Sequence, residues 1–161
     1  MTNTRIGSMT VALAFLAIGA TGSANATCDE GLGTWQGAGT ASEVSGKDLG
    51  AFTVTVTRKL LSDGHVRADG IVMLANHQRI DFWQEFENKG PHAFRIKSNH
   101  GTGGGRCFEN GLCQSLEQSS DGHAFATTIA PEGTNRIRVL ITELEQGQPV
   151  RFYQQTLTKK P

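Results

Sequence analysis

Long apolar runs are scarce in this 161-residue chain, and the clearest one, Met9 to Ala20, lies near the amino terminus. A membrane-spanning helix needs about 20 continuous apolar residues, and this stretch is interrupted by Thr10, Gly19, Thr21, Gly22 and Ser23, so no anchor is expected to remain. An excess of charge is also missing, with 15 basic against 15 acidic residues. Without a basic excess, and with Lys and Arg scattered, the chain has no electrostatic footprint for nucleic acid. Only three cysteines are present, too few for a disulfide-dense scaffold. Helical spacing of apolar residues is absent over any useful length, and so are a nucleophilic Ser elbow, a zincin helix and a P-loop.

What the amino terminus does contain is a leader. Arg5 supplies a positive n-region, Met9 to Ala20 an apolar stretch, and Ala24-Asn25-Ala26 the small-x-small pattern that precedes signal-peptidase cleavage. The expectation is a cleaved secretory signal over 1–26 and one domain over 27–161, exported to a bacterial periplasm or to the medium. Losing Arg5 leaves 14 basic against 15 acidic residues. Cys28 follows closely, but Asn25, Ala26 and Thr27 fit a lipobox poorly.

The periodicity of the remainder is that of strands. Phe52-Thr53-Val54-Thr55-Val56-Thr57 alternates strictly, as do Ile80-Asp81-Phe82 and Phe94-Arg95-Ile96-Lys97, which describes sheets with one buried and one wet face. Turn signals such as Ser62-Asp63-Gly64, Asn88-Lys89-Gly90-Pro91, Ser120-Asp121-Gly122 and Gln146-Gly147 recur at short intervals. Strands are expected near 33–41, 51–61, 65–74, 77–87, 92–99, 105–109, 112–118, 123–129, 135–145 and 149–158. Hairpin-length connections favour an all-β antiparallel meander closed as an up-and-down barrel of about 8–10 strands, with a β-sandwich as the alternative.

The segment from Cys107 to Cys113 carries a geometric expectation. A three-residue loop of Glu109, Asn110 and Gly111, with Gly in the left-handed position, sets Phe108 opposite Leu112 and Cys107 opposite Cys113. Directly opposed residues are close enough for a disulfide, and export supplies the oxidising compartment. Cys28 is left as a free thiol, an alternative bridge to one of the other two, an intermolecular disulfide or a lipid site.

Gly33-Thr34-Trp35, opening the first strand of an exported all-β chain, resembles the calycin superfamily of lipocalins, fatty-acid-binding proteins and avidins. The resemblance implies that Trp35 plugs one barrel end under a basic side chain from a late strand, with Arg138 and Arg151 as the candidates. It also implies an internal cavity. Avidin's set of biotin-stacking tryptophans cannot exist with only Trp35 and Trp83.

Alternation nominates Phe52, Val54, Val56, Val66, Ile80, Phe82, Phe86, Phe94, Ile96, Ile137, Val139, Ile141 and Phe152 for the interior, with Gln84 as an inward polar group. All of these but Val66 and Ile137 are the cavity candidates. The leading functional expectation is a binding protein holding a small, mainly hydrophobic molecule. A filled-barrel envelope protein that contacts other proteins is the alternative, and a barrel isomerase or cyclase is the second. No catalytic residue, cofactor or metal ligand is nominated: His65, His77, His92, His100 and His123 fall at no metal spacing, although His92 and His100 bracket one strand. Gly101-Thr102-Gly103-Gly104-Gly105-Arg106 is expected to form a mobile loop at the barrel mouth, and Asp81 and Glu85 to lie with Arg79 and Trp83 on a wet face.

Overall fold

A computed structural model describes residues 31–161; the leader, its cleavage pattern and Cys28 lie outside the described residues. Ten antiparallel strands follow one another: β1 (Gly33–Glu43), β2 (Asp48–Leu60), β3 (Val66–Leu74), β4 (Arg79–Asn88), β5 (Ala93–Ser98), β6 (Gly101–Cys107), β7 (Cys113–Ser119), β8 (His123–Pro131), β9 (Arg136–Glu145) and β10 (Gln148–Lys159). Each pairs with its sequence neighbours, and β10 returns to β1 to close the barrel. Closure removes both edges, which is why so many alternating strands can coexist without exposed ladders. Among the described residues no helix is long and apolar enough to cross a membrane.

Local chemistry at the hairpins sets the register. Asp63, Asn76, Asn88 and Asp121 each accept, through a side-chain oxygen, the N–H two residues on, at 2.9–3.2 Å. Such Asx turns replace a backbone partner at the reversal. Gln146 and Gly147 both have positive φ, at 51° and 80°, as a two-residue turn between Glu145 and Gln148 requires.

The segment 101–106 is not a loop. It forms most of β6, pairing with β5 and β7 along its length. Its inward positions are glycine because the barrel coils tightly there: a Cβ on Gly103 would lie 2.1 Å from the Leu116 carbonyl oxygen, and one on Gly101 2.0 Å from that of Gln118. Glycine kinks of this kind let a sheet curve to closure, so the composition that reads as a flexible loop is a requirement of curvature.

Inside, Phe52, Val54, Val56, Val66, Phe82, Phe86, Phe94, Ile96, Ile137, Val139 and Ile141 are all buried, and Ile80 is half-buried against them. Edge-to-face pairs join Phe52 to Tyr153 and Phe86 to Phe94, so aromatic bulk fills much of the barrel. Phe152 corrects the expectation, being 43% exposed. A register shift between Pro149 and Arg151 sets the phase of β10, and Tyr153, Gln155 and Leu157 take the inward positions.

Candidate functional site

The two barrel ends differ in chemistry. At one end Trp35 is buried and its indole N–H donates to the Gly31 carbonyl at 2.9 Å. The Lys159 ammonium lies 5.9 Å from the ring, because Lys159 is the register partner of Trp35 on β10. Neither expected arginine fills this place. Arg138 points outward and pairs with Glu132 at 2.5 Å, and Arg151 sits toward the opposite end, opposite Glu43. Arg58, also buried, stacks its guanidinium 5.4 Å from the Phe86 ring. Cys107 and Cys113 face each other across the β6–β7 hairpin of this end with their sulfurs bonded at 2.11 Å. Gly111 has a φ of 79° within that hairpin, and Phe108 donates its N–H to Leu112 as the three-residue loop demands.

The other end is polar. The β5–β6, β7–β8 and β9–β10 hairpins meet there and enclose a cavity of about 260 Å³ lined by His100, Ser119, Asp121, His123, Phe125, Glu143, Glu145 and Arg151. Glu143 is its buried centre, only 1% exposed. Its Oε1 accepts from Arg151 Nη1 at 3.1 Å and lies 3.2 Å from His123 Nδ1; its Oε2 accepts from the Tyr153 hydroxyl at 2.5 Å. Each of these bonds offsets part of the hydration that the Glu143 carboxyl group loses on burial.

The same burial shifts the neighbours. Burial, reinforced by the hydrogen bond to Glu143, pushes the Tyr153 phenol far above its ordinary value, so it stays a protonated donor. For Arg151, burial works against the charge, but Glu143 holds the guanidinium above its usual range. Burial lowers the His100 imidazole below 6.5 even though Glu117 and Asp121 pull the other way. Asp121 is held low by the Ser119 hydrogen bond and the His123 N–H.

A second buried carboxylate stands on the neighbouring wall. Glu117, 2% exposed, accepts from Gln84 Nε2 at 2.7 Å and from the Ser98 hydroxyl. Gln84 thus points inward as its alternation predicts, and its oxygen-rich partner is a side chain from β7 that reaches across the glycine-lined β6. Further along the β7–β10 wall, Ser115, Thr127 and Gln155 are buried and their side-chain polar atoms have no protein partner. The interior phenylalanines thus lie mostly on β2–β5, while β7–β10 set buried polar groups among their apolar ones.

Alternation of apolar residues finds the phenylalanines of β2–β5 and Ile137, Val139 and Ile141 but not the buried polar groups. Glu117 and Glu143 are not among the nominated residues, although Glu143 shares the parity of Val139 and Ile141, which is the available signal. His92 and His100 do not converge: they lie at opposite ends of β5, a six-residue strand about 20 Å long. Asp81 and Glu85 do face outward, on Arg79 and Arg67 respectively, and Arg67 stacks 4.6 Å from the Trp83 ring. Among the described residues no three His, Cys, Asp or Glu side chains are grouped closely enough to hold a metal ion.

No known family profile matches the chain, and no curated protein is similar to it in sequence. Solved structures do resemble it. Rv2717c from M. tuberculosis superposes with a TM-score of 0.66 at 11% identity, over 88% of this chain and 100% of that one. A protein of unknown function from the DUF3598 family of Nostoc punctiforme gives 0.62 at 13% identity, over 82% of this chain and 48% of that one, so this chain spans about half its length. A redesigned barrel, mFAP0, bound to the dye DFHBI gives 0.48 at 9% identity, over 81% of this chain and 100% of that one. Together with its own closed meander, the first two likenesses make this chain a ten-stranded antiparallel up-and-down barrel of a shape shared with natural proteins.

Proposed function

We propose that the chain is an exported binding protein whose barrel receives a small molecule through the polar end. The observation that carries this reading is the cavity of about 260 Å³ built on buried Glu143. Burying a carboxyl group is costly to a fold, and here the Glu143 carboxyl group forms the floor of a concave site flanked by two histidines. The volume lies just under the roughly 300–1,000 Å³ of drug-sized ligands, which favours a compact one. Polar lining revises the ligand class: an apolar part rests on Phe125, and a hydrogen-bonding part faces His100, His123 and Arg151. Export is supported by the leader features of residues 1–26 and by the Cys107–Cys113 bridge.

A second reading, a barrel enzyme such as an isomerase, is favoured by one feature. Glu143 orients His123 through Nδ1, which would leave Nε2 as a base.

The test is native mass spectrometry of residues 27–161 purified from an exporting host, followed by a small-molecule screen read by ¹⁵N–¹H NMR. Shifts clustered on His100, Ser119 to His123 and Arg151, lost in Glu143→Gln, are expected. Hits confined to the outer surface, or hits at the polar end that survive Glu143→Gln unchanged, would overturn the reading.

A further inference from the structure

We propose that the outer face of β7 to β10 docks a second copy of this chain, giving a two-fold dimer. The exterior of the barrel is divided by charge. Outward positions of β3 to β5 carry Arg67, Asp69, Arg79, Asp81, Glu85, Glu87, Arg95 and Lys97, most of them in ion pairs. Among the described residues, outward positions of β1, β7, β8 and β10 carry no ionisable side chain, only Thr, Ser, Gln, Ala, Val, Leu and Phe. On β9 the charged outward residues Arg136 and Arg138 stand at one end of the strand, both bonded to Glu132.

Three of the large apolar side chains left exposed cluster on this uncharged side: Leu116 at 50%, Leu140 at 45% and Phe152 at 43%. Strand register sets them in order. Leu116 pairs with Ala126, Ala126 with Thr142 and Thr142 with Phe152, which makes one row across four strands, large at both ends and small in the middle. With strands about 4.8 Å apart, Leu116 and Phe152 stand about 14 Å from each other. Beside Phe152 lies a groove of about 250 Å³ between Thr40, Ser42, Leu140, Thr142 and Gln154.

A knob at one end of the row and a groove beside the other end is what a two-fold contact requires, since each surface must complement itself. An axis over Ala126 and Thr142 places Leu116 of each copy in the groove beside Phe152 of the other, and the small side chain of Ala126 lets the barrels approach. Apart from Arg136 and Arg138, both paired with Glu132 at one end, the face carries no charge, so it selects no partner by sign and does not repel its own copy. With β1, whose Thr40 and Ser42 line the groove, β7 to β10 make a surface about 24 Å wide and about 30 Å long, of the order of the roughly 800 Å² per partner that a stable interface buries.

The experiment is sedimentation velocity of residues 27–161 carrying Cys28→Ser, which removes any disulfide-linked dimer, over a wide dilution series. Leu116→Lys and Phe152→Lys are compared with Arg95→Glu on the charged face, with circular dichroism to verify folding. Gln154→Glu, beside the groove, replaces either lysine variant if that one fails to fold. The expected result is a dimer for the parent and for Arg95→Glu, with the dissociation constant raised tenfold or more by each substitution on the uncharged face. A parent that is monomeric throughout overturns the proposal and leaves the face to a different partner. A dimer that survives these substitutions overturns it too, by placing the contact elsewhere.

Discussion

The Tyr153 hydroxyl donates to the Glu143 carboxylate across 2.5 Å, joining adjacent strands β10 and β9 inside the barrel. Tyr153 is 1% exposed and Glu143 is 1% exposed, so neither can exchange this bond for water. Tyr153→Phe should therefore cost about 1–3 kcal/mol, as removal of one partner of a buried bond does. Glu143→Gln should cost at least as much, because it leaves Arg151 charged and short of a carboxylate. Urea unfolding of both single variants and the double variant checks this: the double should cost less than the sum. Strict additivity would show that the two groups are not coupled.

His100 gives stability a pH dependence of known sign. Its folded value lies below 6.5, so between the two values the unfolded chain binds more protons. Its contribution is complete above about 6.5 and declines as pH falls from there toward the folded value. Glu117 and Asp121 face the same imidazole and oppose the shift without reversing it. NMR titration should give a midpoint below 6.5 for His100, and His100→Gln should flatten the stability profile over that interval. A midpoint at or above 6.5 would contradict the burial seen here.

The Cys107–Cys113 bridge closes a loop with a sequence separation of six. Chain-entropy arguments give such a short loop about 2 kcal/mol, or roughly 5–10 °C in melting temperature for a domain of this size. Calorimetry of the oxidised and reduced protein should show that difference, while far-ultraviolet dichroism at 20 °C stays unchanged because nine of ten strand pairings do not involve this hairpin.

Gly70 and Phe82 are packed so closely that a Cβ on Gly70 would lie 2.0 Å from the Phe82 ring. Gly70→Ala should cost about 1–3 kcal/mol through overpacking. Adding Phe82→Leu should recover part of that loss, since the shorter side chain vacates the contested space. Thermal melts of the three variants decide it; a double variant weaker than the sum of the singles would place the strain in the backbone instead.

Much of the barrel was legible in local chemistry. Strict alternation at Phe52 to Thr57 and at Phe94 to Lys97 could satisfy only a half-buried strand. The Asn-Gly loop after Phe108 specified both a hairpin register and the cysteine pairing. Two features misled. The run of glycines at 101–105 has the composition of a mobile loop, and only the curvature of neighbouring strands shows that an inward Cβ has no room there. In β10, Phe152 competed with Tyr153 for the interior, and hydrophobicity alone chose the less amphipathic ring; Leu157, which shares Tyr153's parity, was the better guide.

The sequence by itself determined the strand periods, the turns and the sign of the charge balance, because each depends on residues within a few positions of one another. Only the tertiary structure decided that Glu143, His123, Arg151 and Tyr153 share a cavity and that Lys159 covers Trp35. The first depends on the register of the β8–β9 and β9–β10 pairs and on the phase that the shift at Pro149–Arg151 gives β10, and the second on closure of β10 against β1. A barrel's shear and register are properties of all ten strands at once, so no local pattern contains them.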